Sequence, residues 1–435
     1  MSKIVEDKGI WYLLNTKKKE AEVITNQSGV YVGDIVIPSC FYYGENEYSV
    51  KSIGANAFYK CSHLSSLTIP NGIIKIGYGA FCGCEGLVSI YIPASVKSIE
   101  NFAFSDCCNL SSIVVAEENT KYDSRKGCNA IIETNSNTLV VGCAKTFIPK
   151  TITSIGEGAF YNCKKLNRVD LPESLVSIGK SSFGGCGKLS FLSIPKNVIS
   201  IKELAFSNCS GITSIHVDEE NVIYDSREGC NAIIETNTNK LIVGCAETVI
   251  PNSIVSVGPN AFFGCDFLYF INIPKEVKNI EDNAFCGCSQ LKSVTMANGL
   301  VDIRDGAFWN CSTLESFTVP ESVINIGDGS FSGCDMLKTI AFPKKIRHIA
   351  SCAFSHCYNL RVIFIEGVPL LDEGVFYDCR NLKNVYCYAE EAPSAAEAFG
   401  ELDLSAISLH VPENVIEKYK SVEPWCRFGK IVSLQ

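Results

Sequence analysis

Apolar and polar residues alternate along this chain in a pattern that repeats every 23 residues. In one unit, Leu67 and Ile69 are apolar while Ser66 and Thr68 are polar, and Pro70 follows. Alternation with a period of two is typical of a half-buried strand, and a proline removes a ladder donor and ends it. Each unit is therefore predicted to contain a strand with one inward and one outward face.

The other half of each unit has a different spacing. Residues 50–54 are predicted to form a second short extended segment that ends at a glycine. After it, the apolar residues Ala57, Phe58, Cys61 and Leu64 follow at spacings of mostly three or four residues. The second spacing suits one or two helical turns. We expect coils with a strand on one side and a short helix on the other, stacked so that neighbours bury each other's apolar residues.

The period is clearest in two residue types. Twelve of the 23 cysteines occupy one position of the unit: Cys61, Cys84, Cys107, Cys163, Cys186, Cys209, Cys265, Cys288, Cys311, Cys334, Cys357 and Cys379. A phenylalanine stands three residues before each of them. Small, weakly polar thiols turned into the coil explain this series better than metal ligands, since free cysteine is among the most buried residue types.

Two longer units interrupt the period, and they are close copies 102 residues apart. In the first, residues 129–133 and 138–141 flank a turn, which predicts a hairpin that replaces the helix and projects outward. The cysteine pairs Cys128/Cys143 and Cys230/Cys245 are symmetric about the two turns, so each pair forms either a disulfide or two free thiols. Asp123-Ser124-Arg125 and its copy at 225–227 are interpreted as turns in which side chains bond their own backbone.

These observations divide the chain into three parts. Residues 1–50 are predicted to form an amino-terminal cap, 51–388 the repeats with hairpin inserts near 116–150 and 218–252, and 389–435 a carboxy-terminal cap. Caps are expected because the open ends of a solenoid expose apolar faces and unpaired strand edges.

The pattern Ile-Gly-x-x-Ala-Phe-x-x-Cys-x-x-Leu-x-x-Ile-x-Ile-Pro resembles the BspA-like leucine-rich-repeat family over roughly residues 50–388. The resemblance implies an α/β solenoid: a right-handed superhelix with a long parallel sheet on one face and short helices on the other. It also implies a surface or secreted binding protein, in some members an adhesin for host matrix proteins. The family has no catalytic residues to carry over.

Charge and terminal residues bear on partners and location. A net charge of −9 argues against nucleic-acid binding and against docking on anionic lipid. No stretch approaches the roughly twenty apolar residues of a membrane span, so we expect no membrane insertion. The resemblance implies a surface or secreted location. No export signal is visible in this chain, however, so a cytoplasmic location is expected if the chain is complete.

No catalytic, cofactor or metal site is expected. The five histidines are dispersed, and close pairs such as Cys82 and Cys84 lack the separated double-pair spacing of zinc sites. The outward strand positions are mostly small hydroxyl residues, against which a few larger residues stand out as candidate protein contacts. These candidates are Tyr91, Arg168, Asp170, Phe191, His216, Phe270, Phe364 and Tyr386.

The sequence therefore predicts a non-catalytic protein that binds another protein or a cell surface, such as a host matrix protein, through the exposed sheet face. It is expected to be a monomer or to self-associate weakly. The alternative is a structural or scaffolding repeat protein that acts by self-association. A carbohydrate-active enzyme is disfavoured because the outward positions contain one carboxylate, Asp170.

Overall fold

The computed structural model describes residues 2–434 and divides the chain into two compact units. The first consists of the residues up to 212 together with 218–221, and the second of 213–217 together with the residues from 222 onward. Each unit is a solenoid, as predicted, but it is a β-solenoid and not the α/β solenoid that was expected. Its coils have three sides, which we call the Ile-Pro strand, the Ser-Ile strand and the turn side.

The Ile-Pro strands follow from the alternating pattern. Ile90 and Ile92 are buried while Ser89 and Tyr91 are exposed, and Pro93 ends the strand. In the first unit these strands are Gly33–Val36, Leu64–Thr68, Ser89–Ile92, Ser112–Val115 and Phe191–Ile194. In the second unit they are Ser214–Val217, Phe270–Ile273, Ser293–Met296, Thr339–Phe342, Val362–Ile365, Asn384–Cys387, Ser408–Val411 and Lys430–Ser433.

One long parallel sheet of Ile-Pro strands was expected, and this expectation is only partly correct. Within the described part of the chain, the coils at Ile148, Leu171, Ile250 and Val319 have no strand at this position. The strands therefore pair in short parallel runs, of which the longest joins Thr339–Phe342 to Lys430–Ser433. The breaks at Ile148 and Ile250 come directly after the hairpin inserts, which replace the usual preceding part of the coil.

The more continuous ladder lies on the second side of the coil. Its two-residue Ser-Ile strands pair in parallel and in register. They are Lys75–Ile76, Ser98–Ile99, Ser154–Ile155, Ser177–Ile178 and Ser200–Ile201 in the first unit, and Ser256–Val257, Asn279–Ile280, Asp302–Ile303, Asn325–Ile326, His348–Ile349 and Leu370–Leu371 in the second.

The predicted short helices are wrong: the third side of the coil is a series of consecutive turns. The amide of Cys61 donates to the carbonyl of Phe58 within the coil, whereas the amide of Phe58 donates to Ala80 O in the next coil at 2.7 Å. Backbone donors thus alternate between their own turn and the neighbouring coil. A helix would keep all of them within the segment.

Left-handed residues explain why the turns do not become a helix. Two positions in each coil have positive φ, such as Asn56 and Lys60, or Gly79 and Gly83 in the next coil. An α-helix requires φ near −60° throughout, so each of these residues interrupts it. Asparagine, aspartate and glycine predominate at the second position because they adopt this conformation at the least cost.

The core is a column of phenylalanine rings beside a column of thiols. In the second unit the rings of Phe262, Phe285 and Phe308 stack at centroid distances of 4.8 and 5.1 Å. Beside them, cysteine Sγ atoms donate to the carbonyl of the phenylalanine one coil earlier, as Cys311 does to Phe285 at 3.2 Å. At least nine cysteines of the described chain make this contact, at 3.0–3.4 Å.

The two inserts form antiparallel strands that continue the Ser-Ile ladder. In the first insert, Thr138–Val141 pairs antiparallel with Ile131–Glu133 and parallel with Ser154–Ile155. The insert is therefore built into the coil, and the prediction that it projects outward is wrong. The insert strands are Tyr122–Asp123, Ile131–Glu133, Thr138–Val141, Tyr224–Asp225, Ala232–Glu235 and Lys240–Gly244, and 3₁₀ turns span Arg125–Gly127 and Arg227–Gly229.

The terminal segments have their own elements. The amino-terminal strands are Ser2–Asp7, Ile10–Asn15, Glu20–Val23, Cys40–Tyr43 and Asn46–Ile53. The carboxy-terminal segment contains the α-helix Ile416–Tyr419 and the 3₁₀ turns Leu404–Ala406, Glu413–Val415 and Trp425–Arg427. Tyr419 and Trp425 are fully buried, and they pack on the hydrophobic core of the second unit.

Candidate protein-binding surface

The eight predicted contact residues divide between the two units, and six of them lie on Ile-Pro strands. In the first unit, Tyr91 is 53% exposed and pairs across the ladder with Val114, which is 46% exposed. Phe191 is also exposed. These side chains alternate with buried isoleucine and leucine, so they point outward as the pattern predicts.

Arg168 and Asp170 are exposed but neutralise each other. The Nε atom of Arg168 donates to Oδ1 of Asp170 at 2.9 Å, and the segment that holds them forms no strand. An ion pair with both partners in water contributes little to stability. These two residues thus lie on the surface and are ion-paired with each other.

Phe270 belongs to a larger aromatic cluster in the second unit. It is 75% exposed, and Phe267 and Tyr269, which the sequence analysis overlooked, are about half exposed. His216, also in this unit, is exposed on its own strand. Phe267 and Tyr269 precede the strand, where the alternating pattern makes no prediction. The sequence signal that could have identified them is the three aromatic residues within the four positions 267–270.

Phe364 and Tyr386 lie side by side and form a ladder with a third residue. Their rings stack at 4.9 Å, and the ring of Tyr386 stacks on that of His410 at 4.2 Å. His410 Nε2 lies 3.1 Å from Asn384 Oδ1, and burial lowers the pKa of the imidazole. We call Phe364, Tyr386 and His410 the aromatic ladder. His410 was missed because its segment lies outside the repeats in which outward strand positions were compared.

The four hairpin cysteines are free thiols in this structure. Cys143 Sγ lies 3.5 Å from Asn129 O, and its counterpart Cys245 Sγ lies 3.4 Å from Asn231 O. Cys128 is buried, and burial raises the pKa of the Cys230 thiol to about 11. The alternative is a disulfide in each pair, and a count of the free thiols in denaturant decides between the two states.

The repeated Asp-Ser-Arg segments form a clamp within the insert. The guanidinium of Arg125 donates from Nε and Nη2 to both carboxylate oxygens of Asp123, at 2.7 and 2.6 Å, and from Nη1 to Asn137 and Thr151. The second copy repeats this arrangement with Arg227 and Asp225. The segment therefore does more than bond its own backbone, because Arg125 joins the loop to the hairpin turn and the next coil.

One group of possible metal ligands occurs among residues 2–434. It consists of Glu85, Asp106 and Cys108, whose ligand atoms lie within 4.8 Å of one another. Asp106 Oδ1 is ion-paired with Lys164 Nζ at 3.0 Å, and the Cys108 thiol donates to the same oxygen. Burial and this hydrogen bond raise the pKa of Cys108 to about 11, and Asp106 is already paired with a lysine.

The turn side of the second unit carries an exposed tryptophan between two grooves. Trp309 is 46% exposed, and the grooves beside it have volumes of about 440 and 620 Å³. Asp305 and Asp328 line the first, and Asp335 lines the second. Trp309 is thus an exposed aromatic residue on a different side of the coil from the strand candidates.

The described part of the chain contains no helix with the length and apolar character needed to cross a bilayer. No functionally curated protein matches the sequence significantly. A solved leucine-rich cell surface protein of Faecalibacterium prausnitzii is similar, with 25% identity, a TM-score of 0.51, and coverage of 89% of this chain and 95% of that one.

Two further solved structures are similar at lower scores. A leucine-rich-repeat protein of Bacteroides ovatus has 24% identity and a TM-score of 0.44, and covers 95% of this chain and 98% of its own. The pneumococcal vaccine antigen PcpA has 16% identity and a TM-score of 0.46, with 100% and 98% coverage.

The family model described as BspA type leucine rich repeat region, in six copies, matches residues 41–135, 131–241, 233–361 and 301–420. These overlapping matches cover most of the chain and include the coils in which the phenylalanine and thiol columns were found. The chain therefore belongs to the BspA-type leucine-rich-repeat family.

Proposed function

We propose that this chain is a non-catalytic binding protein that engages another protein through the exposed face of its Ile-Pro strands. The observation that carries the proposal is a set of exposed aromatic side chains on strands whose other outward residues are mostly small and polar. Exposed aromatic residues are frequent energetic anchors in protein interfaces.

The family and its structural neighbours support this proposal. Leucine-rich-repeat solenoids present extended regular surfaces for binding, and the similar protein of F. prausnitzii is described as a cell surface protein. We extend the same location to this chain as part of the proposal, with a host matrix protein as the expected partner class.

The test measures binding of the purified chain to a panel of immobilised extracellular-matrix proteins. We expect Phe270→Ser combined with Phe364→Ser to weaken binding at least tenfold, since loss of an interface anchor typically costs 1–2 kcal/mol or more. Trp309→Ser is the control, because it removes an exposed aromatic ring from the turn side, and the exposure of Trp309, 46%, is below that of Phe270 and above that of Phe364.

Three outcomes would contradict the proposal. Binding that survives the double substitution would exclude the strand face, and binding lost only in Trp309→Ser would move the site to the turn side. Absence of binding to the whole panel, together with concentration-dependent growth in light scattering, would favour the scaffolding alternative.

A further inference from the structure

Three exposed cations on successive coils form a stripe near the carboxy-terminal end of the second unit. Lys338, Arg361 and Lys383 occupy the same position of their coils, immediately before the Ile-Pro strand. The amide of Arg361 donates to Lys338 O at 2.8 Å, and that of Lys383 donates to Arg361 O at 2.9 Å. The three residues are therefore direct neighbours, and we call them the basic stripe.

The three cations of the basic stripe form no ion pair in the described structure. None of its three side chains lies within 4.0 Å of a carboxylate oxygen, whereas some other cations of the solenoid are paired with a carboxylate about one coil away. Examples are Lys75 with Glu100 at 2.6 Å and Lys196 with Glu220 at 2.8 Å. Arg380 lies near the stripe but is occupied by Asp378.

Adjacent like charges carry a cost that an anionic ligand would remove. Strands in register are about 4.8 Å apart, so the three like charges start from adjacent backbone positions and repel one another. The preceding coil offers one carboxylate in this column, Glu315, and it forms no ion pair with Lys338. A row of bound carboxylates would neutralise all three cations at once.

The aromatic ladder indicates which anion fits. Phe364 and Tyr386 follow Arg361 and Lys383 by three residues on the same coils, so an apolar strip runs beside the charged one. Because the rings stack on each other, their faces are largely covered, and mainly their edges are available to a partner. The ring edges and the neighbouring cations together suit a peptide that has carboxylates and apolar side chains. They suit a sugar or a base less well, because these ligands stack on a ring face.

The overall charge of the chain also favours a short acidic segment. A net charge of −9 repels a long polyanion such as a nucleic acid, while three local cations attract a few carboxylates at close range. Resting on the proposed function, we infer that the basic stripe and the aromatic ladder together bind an acidic, partly apolar segment of the partner protein.

The test uses the full chain and a fluorescein-labelled peptide of three Asp-Glu-Phe-Gly repeats, followed by fluorescence anisotropy. We expect saturable binding that weakens as NaCl rises from 50 to 300 mM. Lys338→Gln, Arg361→Gln and Lys383→Gln combined should weaken binding at least tenfold. The matched control combines Lys145→Gln, Lys188→Gln and Lys202→Gln, which removes the same charge from exposed first-unit lysines and should leave binding unchanged.

Each other outcome overturns the inference. Absence of peptide binding, equal binding by the stripe variant, or equal loss in both variants would exclude a specific acidic-peptide site. A heparin dodecasaccharide is the second probe: if it binds through the stripe while the peptide does not, the partner is a sulfated polysaccharide. If the peptide fails but matrix binding still depends on Phe270 and Phe364, the proposed function stands without this refinement.

Discussion

At the scale of single residues, the sign of φ decides which side chain each turn position accepts. Gly287 has φ of +72°, and a Cβ added there would meet no atom closer than 3.7 Å. Space is therefore available for a side chain, and only the backbone conformation disfavours one. Gly187 lies next to Cys186, is outside the left-handed region, and would also have an unobstructed Cβ, with its nearest neighbour at 3.8 Å.

This pair of glycines gives a test of the turn geometry. We expect Gly287→Ala to lower the free energy of unfolding by about 1 kcal/mol, since the left-handed conformation costs an L-residue roughly 1–2 kcal/mol. Gly287→Asn should cost less, and Gly187→Ala should be neutral or slightly stabilising. The measurement is the urea midpoint. A harmless Gly287→Ala would show that this segment is helical, as the apolar spacing had suggested.

At the scale of elements, the Asp-Arg clamp holds each insert in place. Burial raises the pKa of Asp123, but the hydrogen bonds from Arg125 and Thr134 outweigh it, and the carboxyl pKa lies below its usual 3.8. A carboxylate with a depressed folded-state pKa stabilises the fold above its unfolded pKa, and this contribution is lost as the pH falls through the folded value.

We expect Arg125→Ala to destabilise the first unit by about 1–2 kcal/mol near pH 6, because a charged, bidentate partner is lost from a partly buried carboxylate. The difference from wild type should shrink as the pH falls from 3.8 towards the lowered pKa of Asp123 in the folded wild type, below which the carboxyl is protonated in both proteins. Urea unfolding at pH 6 and pH 3 measures this. Arg168→Ala is the control, since it breaks a fully exposed pair and should change stability by less than about 0.5 kcal/mol. A pH-independent difference would contradict the role of the clamp.

The elements also show how far the sequence could lead. The alternation around Ile90 and Ile92 depends only on the two faces of a strand, so the outward position of Tyr91 followed from the pattern. Spacings of three and four do not distinguish a helix from consecutive turns that bury the same residues. The recurrent asparagine and glycine beside the phenylalanines were the available signal for turns. The ladder contact of His410 depends on neighbouring coils, which no single unit reveals.

At the scale of the whole molecule, the fold keeps most of the 23 cysteines away from solvent. Eighteen are buried, four are intermediate and one, Cys352, is exposed. Most S–H groups of the thiol column donate to a carbonyl of the preceding coil, as Cys209 does to Phe183 O, and burial raises the pKa of Cys209 and Cys379 to about 12. Reactivity depends on the thiolate, so these residues should be inert in the folded protein.

Thiol titration tests this arrangement over the entire chain. In the native protein near pH 7.5 we expect fast labelling of Cys352, slower labelling of the four intermediate cysteines, and protection of the rest until unfolding. Cys352→Ser should remove the fast phase alone. In denaturant without reductant, the full 23 thiols should react, whereas a count of 19 would show that Cys128/Cys143 and Cys230/Cys245 form disulfides. Native labelling well beyond five thiols would contradict the buried column, and with it the stacking of coils that this column requires.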